Sequence, residues 1–376
     1  MKRFFAILLA LGISLALVSC KDNSVPVHWQ GTAPPSTVTL LAVGDNLIHD
    51  GIYKQANARS GGSGYDFTYA YQNVAEKIAS ADIAVLNQET IISPEHAPST
   101  YPCFNSPTEL GEHMLNIGFD VFNLANNHTL DKGESGLLAC LNYWNDKDTT
   151  VVGAYHNKES ADEIAIVKKD GISFAFLGAT ETTNGLKLPK NSELVLILGQ
   201  DEDFIKEKIQ RANQIADVVV VNIHWGVEYT HTPTARQREL AKKLGNWGAD
   251  IIIGHHPHVI QPAEYILNDD RSQTLVFYSL GNFISAQSEG PRMVGALAQV
   301  SITKEFGHGT IKINGFELDG VVTHYDAGYK NIRNYTLDQY TPTLAQSHGV
   351  RAFDSTFNYN YIVNTYRQVF GEFWNK

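Results

Sequence analysis

The chain has 376 residues, 43% of them hydrophobic and 18% charged, and a formal net charge of −11. That length suits about two average domains or one large α/β domain. An acidic chain with no basic run argues against nucleic acid and against electrostatic docking on anionic lipid. The 30 Gly and 10% aromatics exclude a coiled coil or a disordered chain, and three Cys exclude a disulfide-dense scaffold.

The first twenty residues read MKRFFAILLALGISLALVSC. Lys2 and Arg3 give a positive start, and Phe4 to Val18 are almost wholly apolar. That run is short for the ~20 residues a spanning helix needs, so it reads as an export signal. Its end, Leu17-Val18-Ser19-Cys20, resembles a bacterial lipobox, in which the Cys becomes the acylated N-terminus. The expectation is a chain lipidated at Cys20 and anchored to the membrane of the bacterial cell envelope. Residues 21–36 then read as a Ser/Pro-containing tether. Cys103 and Cys140 remain, and an oxidising envelope would let them pair if geometry allowed.

Strand candidates follow at Thr37–Val43, Ile83–Asn87, Val121–Leu124, Val218–Ile223, Ile251–Gly254 and Thr274–Tyr278. Most are continuous apolar runs, the pattern of strands buried on both faces. Asp201 to Ile215 opens with acids and repeats apolar residues at helical spacing. Pro233 to Trp247 predicts a second helix with Thr232 as cap. Val294–Ile302 and Thr310–Leu318 read as a closing hairpin. Strands alternating with helices predict an α/β layer fold, one domain over 37–325 with a C-terminal extension, 326–376, packing on it.

Polar residues cluster just beyond the strand ends, where open α/β sheets bind ligands. Asp45, Glu89, Asn126, Asn127, His128, His224, His256, His258 and Asn282 all stand at such places. Five of the fourteen His fall between 224 and 258. His with carboxylates and amides suits Zn, Mn or Fe, one ion or two, and the lack of nearby Cys argues against a structural zinc site. His256 and His258, two apart, would project from one side of an extended segment, leaving His255 structural. Asn126, Glu228 and Asn282 are substrate-binding candidates. Trp225 and Tyr229 read as packing residues. His49, His231, His308, His324 and His348 read as surface residues, His49 being the one with some claim on the site.

Taken together, Val43-Gly44-Asp45, Leu86-Asn87-Gln88-Glu89, Phe104-Asn105-Ser106-Pro107 and Ala125-Asn126-Asn127-His128-Thr129-Leu130-Asp131 form an ordered set. His224-Trp225-Gly226, Gly254 to His258, and Ser279-Leu280-Gly281-Asn282-Phe283 continue it. The set resembles the CapA family of capsule-synthesis proteins associated with poly-γ-glutamate, over about residues 38 to 285. That family is similar to the calcineurin-like metallophosphoesterases. The resemblance implies a four-layer α-β-β-α sandwich with mixed sheets. It implies Asp45 and His258 on a first metal and Asn127, His224 and His256 on a second, with Glu89 as the bridging carboxylate. It also implies His128 as general acid, with Asp131 orienting it. One departure stands out. The phosphoesterase pattern opens Asp-x-His, whereas this chain reads Asp45-Asn46-Leu47, and Leu47 cannot bind a metal.

Two functions follow. The first is a metal-dependent hydrolase of phosphoester or related bonds, linked to capsule synthesis. The second is a non-catalytic accessory protein that holds an anionic polymer or a phosphorylated group through metal.

Overall fold

A computed structural model describes residues 34–305 and 309–374. Cys20, the segment expected to be an export signal, most of the expected tether and His308 lie outside the described residues. The described chain from Pro34 onward forms one compact unit.

The strands in chain order are β1 (Ser36–Asn46), β2 (Ile83–Asn87), β3 (Val121–Asn123), β4 (Thr150–Val152), β5 (Ala154–Tyr155), β6 (Ala165–Lys169), β7 (Ile172–Thr180) and β8 (Val195–Leu196). They continue as β9 (Val218–His224), β10 (Ile251–His255), β11 (Ile260–Leu267), β12 (Gln273–Leu280), β13 (Asn282–Ile284), β14 (Val294–Glu305), β15 (Thr310–Asp326) and β16 (Lys330–Thr336). One sheet has the order β16-β15-β14-β1-β2-β3-β4, with β13 also pairing β1. The other runs β11-β12-β10-β9-β7-β6, and β5 and β8 form a small ribbon. Both large sheets are mixed: β1, β2, β3 and β4 are parallel neighbours, as are β7, β9, β10 and β12, and antiparallel strands flank each set.

The layers follow from the apolar pattern. Phe174, Phe176, Val218, Val220, Ile251, Ile253, Leu275 and Phe277 of the second sheet share one core with Leu40, Val85 and Leu297 of the first. The alternate residues Ala175, Leu177, Val219, Val221, Ile252 and Val276 pack instead with Ile205, Ile209, Leu240 and Leu244. Those four come from the helices Glu202–Ile215 and Ala235–Trp247. Helices Thr108–Asn116 and Gly133–Asn145 add Leu110, Met114, Leu137 and Trp144 to the first core. The result is the α-β-β-α sandwich. Strands buried on both faces explain the continuous apolar runs.

Several expectations need correction. Helix Ala235–Trp247 is capped by Thr234, whose side chain accepts from Gln237 N–H while Gln237 reaches back, so Thr232 lies outside it. Reciprocal capping at that spacing fixes the start. β7, an apolar run, is a central strand the sequence reading passed over. The C-terminal extension, whose packing on the domain needs no correction, includes β16, which pairs β15, and the helix Tyr359–Phe370, packed through Ile362 and Tyr366. Cys103 is exposed and Cys140 buried, and both are free thiols. His324 and His348 are buried rather than superficial: His348 Nε2 lies 2.8 Å from Thr323 O, and His324 Nδ1 lies 2.9 Å from Tyr340 Oη. Among the described residues, no helix is long and apolar enough to cross a membrane.

Candidate metal centre

The parallel strands of both sheets end at one place. At the end of β1, Asp45 registers with Asn87 of β2 on one side and Asn282 of β13 on the other. That close fit needs glycine: a Cβ on Gly44 would lie 1.9 Å from Gly281 O. From the other sheet, His224 ends β9 opposite His255 of β10.

Asp45, Glu89 and His258 are buried, and one ligand atom from each lies within 4.8 Å of the others. His258 Nδ1 is 3.1 Å from Asp45 Oδ2, and its Nε2 is 3.6 Å from Glu89 Oε1. His224 Nε2 stands 3.9 Å from the same Glu89 oxygen and 3.0 Å from Asn127 Oδ1. The His256 ring lies beside that of His224, centroids 4.7 Å apart, and the His256 backbone N–H points at both Asp45 oxygens at 3.3 and 3.4 Å. The six residues proposed as ligands from sequence are therefore in one neighbourhood.

His256 and His258 do not get there as alternate residues of an extended strand. Both have left-handed backbone, φ 97° and 59°, in the loop after β10, with Pro257 between them. Such angles cost energy in non-glycine residues and persist where packing over-determines them.

Burial sets the electrostatics. It pushes the Glu89 carboxyl well above its ordinary range, and the nearby charge of His258 offsets this only in part. Burial would also raise Asp45, but the hydrogen bond and charge of His258 hold it below its usual value. His224 is driven well down by burial and then by the ring of His256. His256 falls to about 4 by burial and the charge of His258. His258 alone rises, to about 9: burial opposes this, and Glu89 and Asp45 outweigh it.

The donor set fits a divalent cation. Among the described residues, both oxygens of Glu89 and Nδ1 of His256 are buried without a hydrogen-bond partner. A buried carboxylate without partners is costly, and a cation between carboxylate and imidazole donors removes the penalty. Oxygen and nitrogen donors without thiolate suit Zn, Mn or Fe.

Leu47 is buried and its N–H bonds to Ile284 O, so it offers nothing to this set. Nor does His49 join Asp45, Glu89 and His258 in the group whose ligand atoms lie within 4.8 Å of one another. The His49 Nδ1 lies 3.2 Å from both Leu47 O and Ala286 N, donating to the first or accepting from the second according to tautomer, and its ring packs edge-on against Phe104.

His128 and Asp131 form a second unit beside the cluster. His128 Nδ1 lies 2.7 Å from Asp131 Oδ2, which also accepts from Phe104 N–H at 2.6 Å. The Phe104 ring packs edge-on against His128 at 4.7 Å. With Nδ1 held, Nε2 is the atom left for chemistry.

Two residues expected to contact substrate are engaged internally. Asn126 donates to Gln88 O at 2.9 Å and accepts from His128 N–H at 3.0 Å, so it fixes the backbone of His128. Asn282 Oδ1 is 3.0 Å from His258 Nδ1, and the two amide hydrogens on its Nδ2 are shared among acceptors on Ser285, Gln287 and Arg292 at 2.9–3.1 Å. A satisfied buried amide has no donor to spare. Glu228 is half-buried, and its charge acts on Glu89, His256 and His258.

The sequence reading missed three contributors. His255 Nδ1 lies 3.7 Å from Asp45 Oδ1, so His255 belongs to the surroundings of the cluster. Asn87 donates to Asp45 Oδ1 at 2.8 Å, and Asn123 donates to Asn87 Oδ1 at 2.9 Å. Their signal was a lone amide ending an apolar strand, since buried amides require partners. Trp225 is packed against Tyr278 as expected, whereas Tyr229 is 44% exposed and stacks on His258 at 6.0 Å.

A family profile described as bacterial capsule synthesis protein PGA_cap matches residues 39–287. The chain belongs to this family. The matched span contains every residue of the cluster. Among its relatives, the PGA biosynthesis protein CapA of Bacillus subtilis is 36% identical over 207 residues, 54% of this chain and 52% of that protein. The capsule biosynthesis protein CapA of Bacillus anthracis is 31% identical over 271 residues, 70% of this chain and 63% of that protein. The chain thus spans about half to two thirds of the length of the curated relatives it matches. Among solved structures, a phosphatase from Mycoplasma pneumoniae aligns with a TM-score of 0.46 at 12% identity, covering 77% of this chain and 95% of that one. A protein from Thermus thermophilus aligns with a TM-score of 0.43 at 11% identity, covering 75% and 98%.

Proposed function

We propose that this protein is a metal-dependent hydrolase of phosphoester or related polar bonds that serves capsule or poly-γ-glutamate synthesis in the bacterial cell envelope, held at the membrane by a lipid on Cys20. The single observation that carries the chemistry is Glu89: a carboxylate with both oxygens buried and, among the described residues, without a hydrogen-bond partner, 3.6 Å from His258 and 3.9 Å from His224. The capsule role draws on the names of the relatives, and the anchor draws on the first twenty residues.

In this reading Asp45, Glu89 and His258 hold one divalent ion, and Asn127, His224 and His256 offer donors for a second. When bound, such ions polarise the reacting bond and lower the pKa of a coordinated water. The chain's own residues do the rest. Asn87 and the His256 N–H orient the Asp45 carboxylate. Asp131 fixes the His128 ring so that Nε2 delivers a proton to the leaving oxygen. Phe104 packs edge-on against one side of the His128 ring and restricts its rotation.

The test is turnover of phosphomonoesters, phosphodiesters and γ-glutamyl peptides with added Mn²⁺ or Zn²⁺. Activity should require the ion and fall in His128→Ala and His256→Ala. No turnover on any substrate, or turnover unchanged in both variants, refutes it.

A second reading is favoured by Leu47, which removes one donor, while His49 is not in the group of Asp45, Glu89 and His258. A single-ion site would then bridge an anionic polymer without cleaving it. Poly-γ-glutamate capture that is lost on chelation, with no turnover, supports this reading over the first.

A further inference from the structure

Beside the cluster stands a cation with no part in the chemistry above. Arg292 lies in the short 3₁₀ turn Gly290–Met293, and its carbonyl accepts from Asn282, which contacts His258. Its guanidinium stacks 3.4 Å over the ring of Tyr229, which in turn stacks on His258. Backbone and side chain are thus each one residue removed from the same proposed ligand.

The guanidinium is only partly used. Nη2 is 2.8 Å from Glu289 Oε2, a carboxylate on a side chain that is 58% exposed. Nε is buried and has no partner among the described residues. Nε and Nη2 form the edge that grips an oxyanion through two parallel hydrogen bonds. Glu289 takes one of the two.

The surroundings are rich in acidic groups, offset within the cluster by His258. Asp45, Glu89 and Glu228 all bear on the cluster, and the chain carries a net charge of −11. An anionic group approaching the site needs a fixed positive partner besides any metal. We propose that Arg292, stacked on Tyr229, is the specificity residue that binds an oxyanion of the substrate beside the metal cluster, displacing Glu289 from its Nε–Nη2 edge. The substrate class is then one with a phosphoryl or carboxylate group next to the reacting bond. This rests on reading the cluster as a cation site.

The experiment is calorimetric titration of the full chain with Mn²⁺, then with inorganic phosphate or glutarate in the presence and absence of Mn²⁺. The two anions distinguish a phosphoryl from a carboxylate preference. Arg292→Gln should weaken anion binding about tenfold or more, as expected for loss of a charge-assisted fork, while Mn²⁺ stoichiometry and the melting temperature hold. Arg292→Lys should fall between, since an ammonium keeps the charge but lacks the planar fork. Glu289→Gln, at an exposed position, should tighten binding about two- to fivefold by freeing the edge. Equal anion affinity in wild type and Arg292→Gln overturns the proposal, as does wild-type protein that binds neither anion under any condition. Absence of Mn²⁺ binding refutes the metal reading instead, and the metal-free anion titrations still judge Arg292.

Discussion

Glu89→Gln separates a metal-holding carboxylate from an ordinary buried one. Without a cation, burial pushes the Glu89 carboxyl well above its normal range and so shifts it toward the uncharged acid. Glutamine has nearly the same shape and is also uncharged. Removing a carboxylate that protein partners stabilise would cost several kcal/mol, but among the described residues neither Glu89 oxygen has a hydrogen-bond partner, and His258, 3.6 Å away, keeps Asp45 at 3.1 Å as its counter-charge. The metal-free variant should therefore match wild type within about 1 kcal/mol. The metal-loaded proteins should diverge. A cation that binds only the folded state adds about 2.7 kcal/mol at a hundredfold excess over its Kd. For a chain of this length that is roughly 4 °C in melting temperature. The assay is a thermal melt with and without Mn²⁺ or Zn²⁺ at several concentrations. Wild type should show the rise and Glu89→Gln should lose most of it. A variant that keeps the full rise, or that loses more than about 2 kcal/mol without metal, refutes the argument from the unpartnered carboxylate.

Three further outcomes are expected. His128→Ala should lower turnover by about 10²–10⁴, and Asp131→Asn by about 10–100, since the first removes the proton donor and the second only its orienter; metal content should hold in both, and equal loss of metal would point to a structural role. Burial holds His348 at about 3 and His324 at about 4, below their unfolded values, so the unfolded state takes up protons first as pH falls. Stability is then full above about pH 6.5 and declines toward pH 4, by on the order of 2 kcal/mol per histidine at pH 5; protonating His348 Nδ1 would also break its bond from Val350 N–H. Urea titrations from pH 7 to 5 read this, and a His348→Gln variant should show a shallower pH slope; a flat wild-type profile contradicts it. Gly44→Ala should cost more than about 3 kcal/mol or abolish folding, because a Cβ would sit 1.9 Å from Gly281 O, and a chemical denaturation curve unchanged from wild type would show that β1 and β13 can separate there.

Much of this was legible in the residues themselves. The apolar runs Leu40–Val43, Val218–Val221 and Ile251–Ile253 read directly as buried strands, because a strand covered on both faces must be apolar throughout. The chemistry at their ends was equally plain, since Asp45, Glu89, His224 and His256 interrupt or follow those runs. Thr232 was mistaken for a cap because Thr234 competes two residues later, and only the reciprocal bond with Gln237 decides between them. His324 and His348 looked superficial because their local sequence is polar. The tail buries them by packing across β15, a contact no local pattern encodes.

The amino-acid order alone decided which segments become strands and which side chains carry ligand chemistry, because backbone preference and apolar burial act over a few residues. The three-dimensional fold decided which of those side chains meet. Asp45 reaches His256 across 211 positions, and that distance is closed only by the packing of two sheets. The left-handed loop that turns His256 and His258 inward, the filling of a donor position by Leu47, and the stacking of Arg292 on Tyr229 all depend on that packing. Long-range contacts of this kind are set by the whole core, so no window of sequence specifies them.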